Sequence, residues 1–314
     1  MQIADSDCRL QIVPELPDVE LYLTALRSHV GGQRISRARL ASPFLVRTVA
    51  PPLQALHGRR VEGFERVGKR IVWRFEGELF AIFHLMIAGR FRWREPGAAI
   101  PAKLGLLAFD FDNGTLLLTE AGSKKQASLH LVQGRDAVDA FDPGGADVHA
   151  LSPDAFREIL RRENHTLKRA LTDPHLFSGI GNAYSDEILH EARLSPLKLT
   201  DTLTDAEAAT LLQAAIGVLD RWTQRLIAEN QGRFPEKVTA FREGMAAHGR
   251  FGQPCPRCGS PIQRIVYAHN EANYCAVCQT GGRLLADRAL SRLLKSDWPS
   301  NLEALEREKS ERRK

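Results

Sequence analysis

Four of the five cysteines form two pairs near the C-terminus, and this arrangement constrains the fold more than any other feature. Cys255 and Cys258 make one Cys-x-x-Cys pair, and Cys275 and Cys278 make the second pair. Each pair places two thiolates on one turn, and the spacing between the pairs is typical of a tetrahedral four-cysteine zinc site. Four sulfur ligands leave no open coordination position. We therefore expect one structural Zn²⁺ ion that stabilises a ribbon hairpin.

Length and charge indicate a protein of more than one domain with an acidic partner. At 314 residues the chain exceeds the usual size of a single domain, so two or three units are expected. The net charge of +5 favours a polyanionic partner. No run approaches the roughly 18 apolar residues that span a bilayer, and the first residues lack a signal-peptide core. A cytoplasmic location without a membrane partner is therefore expected.

Hydrophobic periodicity predicts a helix followed by antiparallel strands in the first part of the chain. Apolar residues recur every three or four positions from Leu16 to Val30, which indicates one buried face of a helix. Strand-like segments then alternate with turns at Gly68-Lys69, near Gly89 and at Asn113-Gly114. An N-terminal helix that leads into an antiparallel β-sandwich is the simplest architecture.

The middle of the chain is predicted to be helical. Ser152-Pro153-Asp154 combines a capping hydroxyl, a proline at the first helical position and an acid in the first turn. Helical periodicity then continues to about Phe241, interrupted by loops at Asp173-Pro174 and Leu194-Ser195-Pro196. A helical domain therefore separates the strands from the ribbon.

Two further motifs could carry chemistry. The segment Pro14-Glu15-Leu16-Pro17-Asp18-Val19-Glu20 opens the first predicted helix, and Gly179-Ile180-Gly181-Asn182 precedes a later one. Glycines allow close approach of the backbone, and amides at a helix start bind phosphate oxygens. Each motif also has an ordinary interpretation. Glu15 could simply complement the helix dipole, and the glycines could simply form a turn between two helices.

Together with the four-cysteine ribbon, these motifs resemble the formamidopyrimidine-DNA glycosylase and endonuclease VIII family. The three signatures occur in the family's order between Pro14 and Gln279. The resemblance implies a bifunctional DNA glycosylase and apurinic/apyrimidinic (AP) lyase of base-excision repair. Such an enzyme removes an oxidised or ring-opened base and cuts the strand by β- or β,δ-elimination. Damaged double-stranded DNA is the implied partner, no small-molecule cofactor is expected, and the protein is expected to be a monomer.

The resemblance also implies an α+β multidomain fold. It consists of an N-terminal helix with an antiparallel β-sandwich, a helical helix-two-turn-helix domain and a C-terminal four-cysteine zinc ribbon. The predicted boundaries are an extension at 1–13 that is not expected in the native protein, the catalytic β-sandwich domain at 14–141, the helix-two-turn-helix DNA-binding domain at 150–245, the zinc ribbon at 249–280 and a charged C-terminal extension at 281–314.

Three residues receive catalytic roles from the resemblance. Pro14 would be the nucleophile, Glu15 the acid that protonates the sugar ring oxygen, and Lys69 the hairpin lysine at the lesion. A free α-amine has a pKa near 8, against about 10.4 for lysine, so more of it is nucleophilic at cellular pH. This chemistry requires a free Pro14 nitrogen, and we expect the native chain to begin there after removal of an initiating residue at Val13. If the extension is retained, the alternative is a catalytically silent protein that binds damaged DNA.

Other positions match residues with which the family contacts the phosphates of DNA. Lys168 and Asn182 match contacts to the phosphates that flank the lesion. In the ribbon, Asn270 stands where the family commonly has an arginine that binds the lesion phosphates. An asparagine can donate a hydrogen bond but brings no charge. The phosphate contacts of the ribbon are therefore expected to differ from those of the family.

The residues that fill the space left by the flipped base depart further from the family. The family inserts a methionine from a strand at this point. Here Met86 is shifted along the strand, and Ile87 stands at the family's methionine position. The loop 120–126 lacks the family's arginine and phenylalanine, and Lys124 and Lys125 are the candidates for the arginine's charge. We therefore expect a divergent member, and the sequence assigns neither the damaged base nor the opposite base.

Overall fold

The chain folds into two compact units in the computed structural model. The structure describes residues 13–122, 124–236, 238–239, 242–267, 271–285, 299–304 and 307. Of these residues, those within 11–145 and 219–240 form the strand unit, and those within 146–218 and 241–314 form the helix–ribbon unit. Every helix in the described residues is too short or too polar to cross a membrane.

The first helix, α1, spans Leu16–Val30, as its apolar periodicity predicts. Pro17 lies in its first turn, where a missing N–H group breaks no helical hydrogen bond. The helix stops at Gly31, where a Cβ atom would lie 2.5 Å from the carbonyl oxygen of Arg27. Residues on the buried face, including Leu23 and Leu26, are almost fully excluded from solvent.

The strands of the strand unit form a sandwich. They are β1 (Arg37–Leu40), β2 (Val61–Val67), β3 (Arg70–Phe75), β4 (Leu79–His84), β5 (Gly89–Arg94), β6 (Gly105–Phe111), β7 (Gly114–Glu120) and β8 (Ser128–Gln133), followed by the short helix α2 (Arg135–Asp139). One antiparallel sheet has the order β1-β6-β7-β5 and the other has the order β2-β3-β4-β8. Trp73 of the second sheet lies 5.5 Å from Phe109 and 6.3 Å from Phe91 of the first, between ring centroids. These rings form the core between the sheets.

Two turns differ from their predicted positions by a few residues. In the β6–β7 hairpin the turn is formed by Asp112-Asn113, and Gly114 already belongs to β7. A Cβ atom at Gly114 would lie 2.2 Å from the Trp93 ring, so packing explains this glycine. Similarly, Gly89 begins β5, and the preceding turn contains Met86 with a φ of +51°. A Cβ atom at Gly89 would lie 2.2 Å from the carbonyl oxygen four residues earlier.

The helix–ribbon unit contains the predicted helices and the ribbon hairpin. Its elements are α3 (Pro153–Arg161), α4 (Leu167–Thr172), α5 (Asn182–Glu191), the first part of α6 (Asp205–Asn230), β9 (Ile262–Val266), β10 (Glu271–Cys275) and α7 (Ala276–Thr280). Ser152 caps α3 as predicted, because its Oγ accepts the N–H group of Ala155 at 3.2 Å. Leu284 and Leu285, at the start of the C-terminal extension, are buried against the ribbon. The α+β architecture predicted from the sequence is confirmed.

Candidate functional site

Pro14 and Glu15 are both buried immediately before α1. Glu15 is the N-cap of the helix and forms a capping box with Asp18. The N–H group of Glu15 donates to Oδ2 of Asp18 at 3.1 Å, and the Glu15 carboxylate accepts the N–H group of Asp18. These bonds hold a carboxylate, only 1% exposed, next to the proline. Residues 1–12 lie outside the described residues.

Lys69, His84 and Met86 interact within the strand unit. Lys69 follows Gly68, whose φ of +59° closes the β2–β3 turn. Burial, together with the nearby charges of Arg70 and Lys69, lowers the pKa of His84 to about 4. The Met86 N–H group donates to Nδ1 of His84 at 3.1 Å, so the proton of the neutral imidazole is on Nε2. No sequence motif assigns a role to His84, although it stands two residues before Met86.

The two lysines of the β7–β8 loop have different surroundings. Lys125 donates to the carbonyl oxygen of Glu120, whereas Lys124 is exposed. The buried Glu120 carboxylate accepts the N–H groups of Gln126, at 2.9 and 3.0 Å, and Ala127, at 3.2 Å. Hydrogen bonds to the buried Glu120 carboxylate therefore fix the loop backbone. Lys124 is the lysine with the more accessible charge.

Lys168 and Asn182, both predicted to contact phosphate, lie close together in the helix–ribbon unit. The Lys168 ammonium donates to the carbonyl oxygen of Asn182 and to Oδ1 of Asp186, each at 2.6 Å. Lys168 is 7% exposed, so this is a buried ion pair. Although burial opposes ionisation of Asp186, Lys168 and His248 hold the pKa of this carboxyl below its usual value. Two of the three ammonium hydrogens are thus engaged by acceptors within the described residues.

The helix start at Asn182 combines a glycine-containing turn with a nearby cation. Gly179 has a φ of +81°, which favours glycine, and Gly181 is the N-cap of α5 without a side chain to cover the helix end. The first amides of a helix carry partial positive charge. With Lys168 beside it, this turn combines backbone donors and a cation near one partly exposed asparagine.

Acidic residues of α5 connect the helix to the ribbon and to the segment before it. Oδ2 of Asp186 lies 2.8 Å from Nδ1 of His248 and 3.3 Å from Nδ2 of Asn273 in β10. The Glu187 carboxylate accepts three backbone N–H groups from residues 246–248 at 2.7 to 2.9 Å. Burial nevertheless raises the pKa of Glu187. These contacts were not predicted, because they join segments that are about 60 to 90 residues apart in sequence.

The four cysteines converge as the sequence predicts. Their Sγ atoms all lie within 4.8 Å of one another, with 3.4 Å between Cys258 and Cys275 and 4.0 Å between Cys255 and Cys278. A tetrahedral site with Zn–S bonds of about 2.3 Å requires S···S distances of about 3.8 Å, so the donor set fits zinc. Although burial opposes it, hydrogen bonds from Ser260 lower the pKa of Cys258 to about 6. Asn270, the predicted departure in the ribbon, lies outside the described residues.

Models of three protein domains match the chain in succession. Residues 13–122 match the formamidopyrimidine-DNA glycosylase N-terminal domain. Residues 142–226 match the H2TH domain of the same glycosylases, and residues 252–281 match the zinc finger found in FPG and IleRS. The three matches lie in the order that the sequence motifs predict.

Proteins of similar sequence and structure align with most of this chain. The formamidopyrimidine-DNA glycosylase of Chloroflexus aurantiacus is 34% identical over 284 residues, which cover 85% of this chain and 98% of that protein. The enzyme of the same name from Desulforamulus reducens is 30% identical over 281 residues, covering 85% and 99%. Among solved structures, Lactococcus lactis formamidopyrimidine-DNA glycosylase bound non-covalently to DNA with an AP site has a TM-score of 0.75 and 26% identity, covering 85% of this chain and 99% of that one. MutM in complex with DNA containing carbocyclic 8-oxo-G has a TM-score of 0.75 and 27% identity, with coverage of 85% and 100%.

Proposed function

Because this chain belongs to the formamidopyrimidine-DNA glycosylase family, it is a DNA glycosylase with AP lyase activity in base-excision repair, and we propose that it acts through a covalent iminium between Pro14 and the lesion sugar. The observation that carries this proposal is the buried Pro14-Glu15 pair at the start of α1, with its carboxylate held by the capping box. A secondary amine and a carboxyl group in adjacent positions supply the nucleophile and the acid that the reaction needs.

The proposed reaction begins on a nucleotide that is flipped out of the duplex. The Pro14 nitrogen uses its lone pair to attack C1′, and the bond between C1′ and the damaged base breaks, so that the base leaves with the bonding electrons. The Glu15 carboxylate takes up the proton that the attached proline nitrogen loses and donates it to the sugar ring oxygen as the ring opens, which leaves an iminium cation. The cation acidifies the C2′ hydrogen. Removal of that proton expels the 3′ phosphate and cuts the strand, and water then hydrolyses the iminium to release Pro14.

The substrate is proposed to be duplex DNA with an oxidised or ring-opened base. The similar structures that contain 8-oxo-G or AP-site DNA support this class of substrate. Lys69 is proposed to act at the lesion with Pro14 and Glu15, and Met86 and Lys124 are the proposed DNA contacts of the strand unit. Lys125 is a weaker candidate than Lys124, because its ammonium already binds the Glu120 carbonyl group.

Two residues of the helix–ribbon unit are proposed to bind phosphates that flank the lesion. The N-terminal end of α5 at Asn182 would donate backbone hydrogen bonds, and Lys168 would add its remaining N–H group and its charge. A Zn²⁺ ion held by Cys255, Cys258, Cys275 and Cys278 would stabilise the ribbon hairpin and take no part in bond breaking.

Borohydride trapping tests the proposed intermediate. A chain that begins at Pro14 is incubated with a duplex that contains one AP site, in the presence of sodium borohydride. Reduction of the iminium is expected to give a covalent adduct, which intact mass and peptide mapping should locate at Pro14. A parallel reaction without reductant should give a cut strand, and its 3′ end distinguishes β- from β,δ-elimination. Tight binding without adduct or cleavage would instead favour a catalytically silent protein that binds damaged DNA.

Changing Glu15 to glutamine is expected to slow base removal by about 10²-fold or more, because the amide cannot donate the proton that the opening ring requires. Glutamine retains an oxygen that can accept the N–H group of Asp18, so α1 should keep its cap. The measurement is single-turnover release of the damaged base. Glu20→Gln is the matched control, since Glu20 forms a partly exposed ion pair with Arg66 and its loss should change the rate by less than about threefold. Equal rates for Glu15→Gln and the unmodified chain would remove Glu15 from the mechanism.

A further inference from the structure

A buried histidine of α5 contacts the four-cysteine cluster. Nε2 of His190 lies 3.2 Å from Sγ of Cys255, and His190 is only 2% exposed. A metal-bound thiolate carries no proton, so the imidazole must be the donor in this hydrogen bond. His190 is not one of the four metal-ligand candidates, and its contact places a helix side chain directly against one of them.

The turn that contains Cys255 and Cys258 makes a second contact with the C-terminal end of α5. Arg257 lies between the paired cysteines Cys255 and Cys258, and its Nη1 donates to the carbonyl oxygen of His190 at 2.8 Å. Its Nη2 lies 3.4 Å from Oε2 of Glu191. A cation at the C-terminal end of a helix satisfies carbonyl groups that have no partner within the helix and opposes the negative end of its dipole. The cysteine turn and the last turn of α5 therefore bind each other through side chains from both.

We propose that His190 is a hydrogen-bond donor to the zinc-bound thiolate of Cys255 and that, with Arg257, it makes the position of α5 depend on zinc occupancy. The inference rests on the zinc site and the phosphate-binding turn proposed above. Asn182 is eight residues before His190, or about 12 Å along the helix axis. Zinc would thus stabilise the helix end that binds phosphate, in addition to the ribbon hairpin itself.

The physical basis is the charge on the metal-bound thiolates. Four thiolates around one Zn²⁺ ion carry a net charge of −2, and a buried N–H donor offsets part of it. Loss of such an outer hydrogen bond typically reduces metal affinity by about 10- to 100-fold. Cys255 is itself only 2% exposed, so water cannot readily replace the imidazole as donor.

Zinc release from the full, zinc-loaded chain tests the donor role. The protein is mixed with excess chelator and a coloured zinc indicator. His190→Leu is expected to release zinc about 10- to 100-fold faster than the unmodified chain. His190→Gln keeps a side-chain N–H donor and should recover most of the loss. His175→Leu, at an exposed position before α5, is the matched control and should release zinc at the unmodified rate.

Hydrogen exchange supplies a second readout that does not depend on DNA cleavage. Removing zinc from the unmodified chain is expected to speed exchange of the α5 amides, including those near Asn182. In zinc-loaded His190→Leu the same amides should already exchange faster, and in zinc-loaded His175→Leu they should not. Unchanged exchange in α5 after zinc removal would overturn the link between zinc and this helix.

Further outcomes separate the inference from the proposals on which it rests. A folded His190→Leu chain with unmodified zinc release would overturn the donor role. The donor role would also be overturned if His190→Gln loses zinc as fast as His190→Leu, since shape and not hydrogen bonding would then matter. If His190→Leu does not fold, His190→Met, which also lacks an N–H donor, takes its place: zinc release as slow as that of His190→Gln would overturn the donor role, and faster release is the expected result. Metal analysis that finds no zinc in the unmodified chain would defeat the zinc site itself, whereas absence of a borohydride adduct would defeat only the catalytic proposal.

Discussion

Retaining even one residue in front of Pro14 is expected to abolish the covalent adduct with AP-site DNA. An acylated proline nitrogen is an amide whose lone pair is delocalised, so it cannot attack C1′. We expect borohydride trapping to fall by on the order of 10³-fold or more, which corresponds to about 4 kcal/mol in the barrier. The comparison uses a chain that begins at Pro14 and the 314-residue chain that begins at Met1. Intact mass must confirm each N-terminus before the assay.

Two controls make the loss of trapping specific. The affinities of the two chains for DNA with an uncleavable abasic analogue should agree within about threefold. Phosphate contacts dominate this affinity, and they do not need the proline amine. Pro14→Gly in a chain that begins at residue 14 keeps a primary α-amine and should trap more slowly, without losing the adduct entirely. Equal trapping by the chain that begins at Met1 would show that another amine, such as that of Lys69, forms the intermediate.

Replacing Asp186 with alanine is expected to destabilise the helix–ribbon unit by about 3–5 kcal/mol, because it leaves the Lys168 ammonium buried without its counter-charge. The Asp186 side chain is fully buried, and that of Lys168 is 9% exposed. The loss should appear as faster hydrogen exchange of the α5 amides in the zinc-loaded chain. Asp205→Ala is the control, since the Asp205 side chain is 67% exposed and its ion pairs with Arg157 and Arg161 contribute about 1 kcal/mol or less.

A double substitution separates stability from DNA binding at this site. Asp186→Leu combined with Lys168→Met replaces the ion pair with apolar groups of similar size, and this exchange is often neutral for stability. The double variant should regain the stability that Asp186→Ala loses by leaving Lys168 without a counter-charge, but not the part due to the contacts of Asp186 with His248 and Asn273. It should still bind damaged DNA weakly, because the proposed phosphate contact of Lys168 is removed. Full recovery of DNA affinity would show that Lys168 has only a structural role.

The pH dependence of this ion pair has a definite sign. The pKa of Asp186 in the folded chain lies below its usual value, chiefly because Lys168 opposes the effect of burial. Its stabilising contribution is therefore present above the unfolded pKa of about 3.9 and is lost as the pH falls through the lower folded pKa. Asp186→Ala should remove this part of the acid sensitivity.

Local patterns predicted much of the fold because their causes lie within a few residues. The bounds of α1 follow from its apolar face and from Gly31 at its end. The β2–β3 turn follows from the positive φ of Gly68, and the cysteine cluster follows from the spacing of its two pairs. The β6–β7 turn was displaced by one residue, because the position of Gly114 depends on its packing against Trp93.

The candidate site could be predicted only in part. Pro14, Glu15 and the cysteines carry distinctive chemistry in short motifs, so the sequence alone marks them as candidates. By contrast, the ammonium of Lys168 is held by Asp186, and that of Lys125 by the Glu120 carbonyl group. These partners determine how much of each charge is available to DNA, and no local pattern indicates them.

By itself, the sequence predicted the family, the order of the domains and the convergence of the four cysteines, since each is specified by residue type at short spacing. Only the tertiary structure decided which charges are buried and paired, such as Lys168 with Asp186, and which helix contacts the four-cysteine cluster. The contact between His190 and Cys255 joins residues 65 positions apart. Such contacts depend on how separate segments pack, and packing reflects the balance of burial and hydrogen bonding over a whole unit, which a short stretch of sequence does not contain.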